Sequence, residues 1–139
     1  MTAPVFVDTS ALYAVLDADD EQHGVADHRW ELLLSGVEQD EYEAVTHSSV
    51  VVEATTLVQH RLGMRACKAL LDDLLGPFTV VWVDVSLHSL AASALLAAGR
   101  RQVSLVDWTS FTVMRQRGVD VAFAFDEDFV TQGFAQWEP

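Results

Sequence analysis

A single cysteine stands among the 139 residues, and its isolation excludes two kinds of site at once. Cys67 has no partner for an internal disulfide and no companions for a thiolate metal centre. With Ala66, Ala69 and Leu70 around it, it reads as a small core residue. Positive charge is also scarce: 8 Lys plus Arg against 21 Asp plus Glu give a net charge of −13. Phosphate neutralisation needs cations, so a broad basic surface for nucleic acid is excluded. Any nucleic-acid substrate must be gripped by a bound metal and a few local arginines, and the charge suits a basic protein partner equally well. No apolar stretch reaches about 18 residues, so no transmembrane helix is expected. Met1-Thr2-Ala3-Pro4 has no basic leader region, which makes the cytoplasm the expected location. Also missing are an H-E-x-x-H zinc spacing among the five histidines, a G-x-S-x-G nucleophile elbow and a phosphate-binding glycine loop.

What is present is a globular composition, with 50% hydrophobic and 21% charged residues. The length suits one domain over residues 1–139. Short apolar strands alternate with amphipathic helices, which predicts an α/β domain with a mainly parallel sheet of four to five strands. Strands are expected at 4–8, 42–46, 78–83 and 119–125, with a short edge strand in the tail at 134–137. Helices are expected at 9–17, 20–35 (with an acidic start), from Ser48 or Ser49 as cap to 62, then at 65–75, 86–98 and 105–117. Gly63, Gly76-Pro77, Gly99 and Gly118 supply the stops.

Four acidic residues stand where apolar segments stop or turn over. Asp8 ends Pro4-Val5-Phe6-Val7, and Asp126 ends Val121-Ala122-Phe123-Ala124-Phe125. Both lie at carboxyl ends of predicted strands, where open parallel sheets form their ligand crevice. Asp8 alone would serve as a helix N-cap. Asp107 completes an S-x-x-D capping box with Ser104, yet it shares one helical line with Phe111 and Met114, which points inward. One side chain cannot fill both roles fully, and the inward line favours a site. Glu53 falls at the edge of the stripe Val50, Ala54, Leu57, Val58, away from the polar face. A buried glutamate there would need a cation or an arginine. Asp128 follows Asp126 by two residues and is a supporting candidate, although an acid at such a position more often faces solvent, and His60 shares the face of Glu53. Glu38 to Glu41 and Asp72-Asp73 read as solvated faces. Together the four carboxylates predict one shared site for Mg²⁺ or Mn²⁺, hard cations suited to oxygen donors. With no other nucleophile in sight, metal-assisted phosphodiester cleavage is the natural reaction.

The ordered motifs resemble a known family over nearly the whole chain. Val7-Asp8-Thr9-Ser10-Ala11-Leu12 is similar to the opening of PIN-domain ribonucleases, especially VapC-type toxins of bacterial toxin–antitoxin pairs. Glu53 in Ser49-Val50-Val51-Val52-Glu53 matches the family's helical glutamate, and Asp107 in Ser104-Leu105-Val106-Asp107 matches its second aspartate. Phe125-Asp126-Glu127-Asp128-Phe129 matches its terminal acidic motif, and the family's hydroxyl after the first aspartate maps to Thr9 or Ser10. Ala124-Phe125 stands where the family has a small polar residue, so the fourth ligand is Asp126 or Asp128, with Asp126 favoured by its strand-end position. The resemblance implies a PIN-like α/β/α sandwich and a Mg²⁺- or Mn²⁺-dependent endoribonuclease acting on a tRNA or rRNA. It also implies a homodimer and a cognate antitoxin that inserts a basic segment among the carboxylates. Candidate RNA contacts are Arg61, Arg65, Arg100, Arg101, Arg115 and Arg117.

Three rival readings remain. A phosphoacceptor domain needs a lysine in its site, and the only one is Lys68, on a charged helix. A dehalogenase-type phosphatase needs D-x-D, and Asp8-Thr9-Ser10 lacks the second acid. A catalytically inactive interaction module could keep the fold alone.

Overall fold

A computed structural model describes residues 2–139. The strands are β1 (Ala3–Val7), β2 (Tyr42–His47), β3 (Thr79–Val81), β4 (Val121–Phe123) and β5 (Ala135–Gln136). They form one sheet in the order β3-β2-β1-β4-β5, and every neighbouring pair is parallel. The register pairs Phe6 with Val45 on one side and with Ala122 on the other. The buried run Val5-Phe6-Val7 therefore occupies the sheet centre, as a strand covered on both faces requires.

Helices α1 (Thr9–Leu16), α2 (His23–Glu38), α3 (Ser48–Leu62) and α4 (Met64–Lys68) link the strands from β1 outward to β3. Helices α5 (Val85–Ala98) and α6 (Leu105–Arg117) carry the chain back across to β4, and the short α7 (Asp128–Thr131) leads to β5. Right-handed crossovers put the outward and returning connections on opposite faces. The packing agrees, with α1 against α2 and α3, and α5 against α6. Phe6, Phe111, Phe123, Leu12 and Met114 are fully buried between the layers. The chain order reverses between β1 and β4, so the crevice of the sheet opens at their carboxyl ends.

Several local expectations shift. The second helix begins at His23, because the acids before it are committed to turns. Asp17 accepts from the Asp19 amide at 3.0 Å and Asp20 from the Gln22 amide at 2.8 Å, which leaves no acid in the first turn of α2. The cap of α3 is His47, not a serine: its Nδ1 accepts from the Val50 amide. Ser48 Oγ instead accepts from the Val83 amide at 2.9 Å, tying the chain after β3 to the start of α3. The helix after Gly63 runs on from Lys68 as a π-helical segment, Ala69–Leu74. β3 and β4 pair over three residues each, so Phe125 and Asp126 lie beyond the sheet in a loop. No helix among the described residues is long and apolar enough to cross a membrane.

Candidate active site

Asp8 leaves β1 with its amide donating to the Phe123 carbonyl at 3.1 Å, which anchors it at the β1–β4 junction. Its Oδ2 accepts from the Ser10 amide at 3.2 Å and the Ser10 hydroxyl at 2.7 Å. That hydroxyl accepts in turn from the Phe125 amide at 3.0 Å. Ser10 therefore stitches the end of β1 to the loop that carries Asp126. Asp8 is 4% exposed and has no cationic partner among the described residues. Burial pushes its carboxyl up to about 7, against the opposing Ser10 bonds, and the charges of Asp107 and Asp126 push the same way. Thr9, beside it, has a buried hydroxyl without a hydrogen-bond partner.

Asp107 stands in the first turn of α6, half-buried. It completes the capping box: its amide donates to Ser104 Oγ at 3.1 Å, and its Oδ2 accepts from the Ser104 amide at 3.0 Å. Capping and site membership are not exclusive, since the box engages only Oδ2 and fixes the direction of the whole carboxylate. Asp107, Asp126 and Asp128 each offer a carboxylate oxygen, and these lie within 4.8 Å of one another. The Asp128 amide donates to Asp126 Oδ1 at 2.9 Å, folding the short segment so that both acids face α6. Burial raises the pKa of Asp107 and of Asp128; neighbouring acids add to both, and Arg100 opposes the shift at Asp128. Asp126 and Asp128 thus stand together, although sequence position alone favoured solvent for Asp128.

Glu53 departs from its expected setting. It is exposed on α3, so burial does not explain its place at the edge of the apolar stripe. Its charge nonetheless reaches Asp107. Glu53 lines a cleft of about 630 Å³ together with Ser48, Trp82, Val85, His88 and Val106. A second groove of about 560 Å³ opens on the other flank, lined by Ser10, Tyr13, Arg61 and Phe125. The Arg61 guanidinium lies 5.5 Å from the centre of the Tyr13 ring. Arg115 is engaged elsewhere, with Gln132 and the Phe134 ring.

A polar network missed by sequence reasoning holds the two acid-bearing helices together. His47 is fully buried; Nδ1 accepts from Val50, so Nε2–H donates to Ser110 Oγ at 2.8 Å. Ser110 then donates to the Val106 carbonyl at 3.0 Å, linking the start of α3 to α6. Burial pushes the imidazole down to about 4, which keeps it neutral and matches this tautomer. The signal in the sequence was weak: one histidine ending a strand before two serines.

Oxygen donors so gathered, with Asp8, Asp107 and Asp128 raised in pKa by burial and neighbouring acids, fit a hard divalent cation. Comparison with known proteins supplies the family context. A family model described as PIN domain matches residues 5–134. The 23S rRNA-specific endonuclease VapC20 of Mycobacterium tuberculosis is 37% identical over 138 residues, covering 97% of this chain and 98% of the relative. The crystal structure of M. tuberculosis VapC20, a sarcin-ricin loop cleaving toxin, superposes with a TM-score of 0.83 at 34% identity, covering 97% and 99% of the two chains. FitAcB from Neisseria gonorrhoeae shares the fold, with a TM-score of 0.65 at 16% identity over 97% of each chain.

Proposed function

The chain belongs to the PIN-domain family, and from that premise we propose that it is a metal-dependent endoribonuclease, the toxin of a VapBC-type toxin–antitoxin pair. The observation that carries this reading is the meeting of Asp107, Asp126 and Asp128 at one point, with buried, unpaired Asp8 in their field. By analogy with the relative named for 23S rRNA, the substrate is a ribosomal RNA loop, which accords with action in the cytoplasm.

Asp8, Asp107 and Asp126 would hold Mg²⁺ or Mn²⁺, with Asp128 as a further oxygen donor. Such an ion supplies activation of water and stabilisation of the leaving oxygen in phosphodiester hydrolysis. The chain does the positioning. Ser10 fixes Asp8 relative to the Asp126 loop, and the Ser104 box fixes Asp107. Glu53, exposed and with its charge reaching Asp107, would accept a proton from the attacking water. Arg100, whose charge reaches Asp128, and Arg61, in the groove beside Ser10, would serve as phosphate contacts. A cognate antitoxin with a basic segment would neutralise the cluster, which a surface of net charge −13 favours. Two such chains repel, so a homodimer needs an uncharged face. Helix α5 has no Asp, Glu, Lys or Arg and leaves Leu90 and Leu96 exposed.

The rivals are weaker. Lys68 is exposed and paired with Asp72, so it is not available as a phosphoacceptor-site lysine. An inactive module has no need of a buried, destabilising carboxylate at Asp8. The test is cleavage of ribosomal RNA by the purified protein with Mg²⁺ or Mn²⁺, alongside Asp107→Asn. The variant is expected to keep its circular dichroism and lose cleavage; equal cutting by both would overturn the mechanism.

A further inference from the structure

Trp30, Trp108 and Trp137 are buried, whereas Trp82 is 75% exposed. It follows β3 directly and forms a wall of the 630 Å³ cleft beside the acidic cluster. Glu53, whose charge reaches Asp107, and Val106, adjacent to Asp107 in the chain, line the same cleft. Val52 and Val85 add apolar wall and are 65% and 82% exposed. The cleft is open to solvent and has room for a planar ring laid against Trp82.

We propose that this cleft receives an unstacked base of the RNA next to the scissile bond, with Trp82 as its stacking platform and a determinant of substrate preference. The inference rests on the ribonuclease reading and adds to it where affinity comes from. With 8 cations against 21 acids, the chain cannot draw much binding energy from phosphates. The uncharged part of RNA is the remaining source, and single-stranded loops are recognised by splaying bases onto aromatic side chains. The polar groups of the cleft agree with a base and not with a phosphate. Glu53 and Asp84 would repel a phosphate, and Asp84 can accept from the amino or imino groups of a base edge. Asp84 has one oxygen committed to the Leu87 amide and the other free. Ser48 Oγ accepts from Val83, so its proton remains available to donate. A phosphate held at the cluster and its neighbouring base in the cleft would place both charges and rings where they are tolerated.

Trp82 is the one exposed tryptophan, so it can be followed by fluorescence quenching without labels. The full-length protein in chelator is titrated with a ribosomal hairpin-loop RNA and with a fully paired duplex of matched composition. Saturable quenching by the loop and not by the duplex is expected. Trp82→Ala should raise KM for loop cleavage about tenfold, the scale of a lost base–aromatic stack, with kcat and melting temperature unchanged. Trp82→Phe should recover most of the loss. An unchanged KM in Trp82→Ala overturns the proposal. So does a blue shift of emission with protein concentration and no response to RNA, which would give the cleft to a second copy. So does quenching by an apolar antitoxin peptide with none by loop RNA, which would give the cleft to a protein partner. If loop RNA quenches Trp82 but the parent cuts nothing, the ribonuclease reading fails and the cleft stands. Cutting without quenching gives the reverse.

Discussion

Replacing Asp8 with asparagine should make the metal-free protein more stable, although the residue is placed to hold the metal. The carboxyl is 4% exposed, lacks a cation and has its pKa lifted from 3.8 to about 7. For a raised carboxyl the neutral form is the one the fold prefers. Stability is therefore full below 3.8, falls as pH rises and reaches its floor above about 7. That difference corresponds to about 4 kcal/mol at pH 8 and under about 2 kcal/mol at pH 5. Asparagine keeps an oxygen for the Ser10 amide at the cap of α1 and carries no charge. Allowing for a weaker bond from the Ser10 hydroxyl, Asp8→Asn should gain about 2–4 kcal/mol at pH 8, or roughly 10 °C in melting temperature. The assay is urea denaturation in EDTA at pH 8 and pH 5, with the two proteins compared at each pH. The advantage should be large at pH 8 and should shrink at pH 5. An Asp8→Asn protein no more stable than the parent at pH 8 would refute the claim that burial strains this carboxylate.

The same electrostatics predicts the response to metal. Millimolar Mg²⁺ or Mn²⁺ should stabilise the parent by mass action, by about 1.4 kcal/mol at tenfold excess over Kd, and so raise its melting temperature. An Asp107→Asn/Asp126→Asn double variant should show no shift, and an equal shift in both proteins would place the ion elsewhere. His47 should act in the opposite pH direction to Asp8. Its folded value is depressed to about 4, so its contribution is full above 6.5 and is lost as pH falls toward 4, about 2 kcal/mol between pH 7 and 5. In the parent the titration of Asp8 offsets this, so the loss should emerge in Asp8→Asn and vanish when His47→Gln is added; a flat profile in Asp8→Asn would contradict the buried neutral imidazole. Glu53→Gln should leave stability within about 0.5 kcal/mol, as for other exposed positions, yet lower cleavage at least about a hundredfold, the scale of a lost general base. Unchanged cleavage would remove Glu53 from the chemistry.

The sequence made the alternation of strands and helices legible, because buried parallel strands read as apolar runs and glycines mark the helix ends. α6 matches its expected span, Leu105–Arg117, since a capping box and Gly118 bound it from both sides. The start of α2 was less legible. Asp17 and Asp20 can serve a helix dipole or an Asx turn, and only the path of the chain chooses between them. The cap of α3 was hidden because histidine seldom caps, and Ser48 had a distant partner in Val83. Within the site, periodicity located Glu53 on its helix but not its exposure. The edge of an apolar stripe can face either the core or a cleft, and here the chain after β3 leaves it open. Asp128 was discounted for the converse reason: solvent is the usual fate of an acid in a short loop, and a single amide bond to Asp126 reverses it. His47 and Ser110 carry no periodic signal at all, being 63 residues apart. Yet that bond joins the helix bearing Glu53 to the helix bearing Asp107. The acids are therefore legible one by one from the chain, whereas their spacing is set by neutral partners, some local to the acid they hold and one, the buried His47–Ser110 pair, that only the fold brings together. Those partners, Ser10, Ser104 and the His47–Ser110 pair, are where substitutions should disturb the site without removing a charge from it.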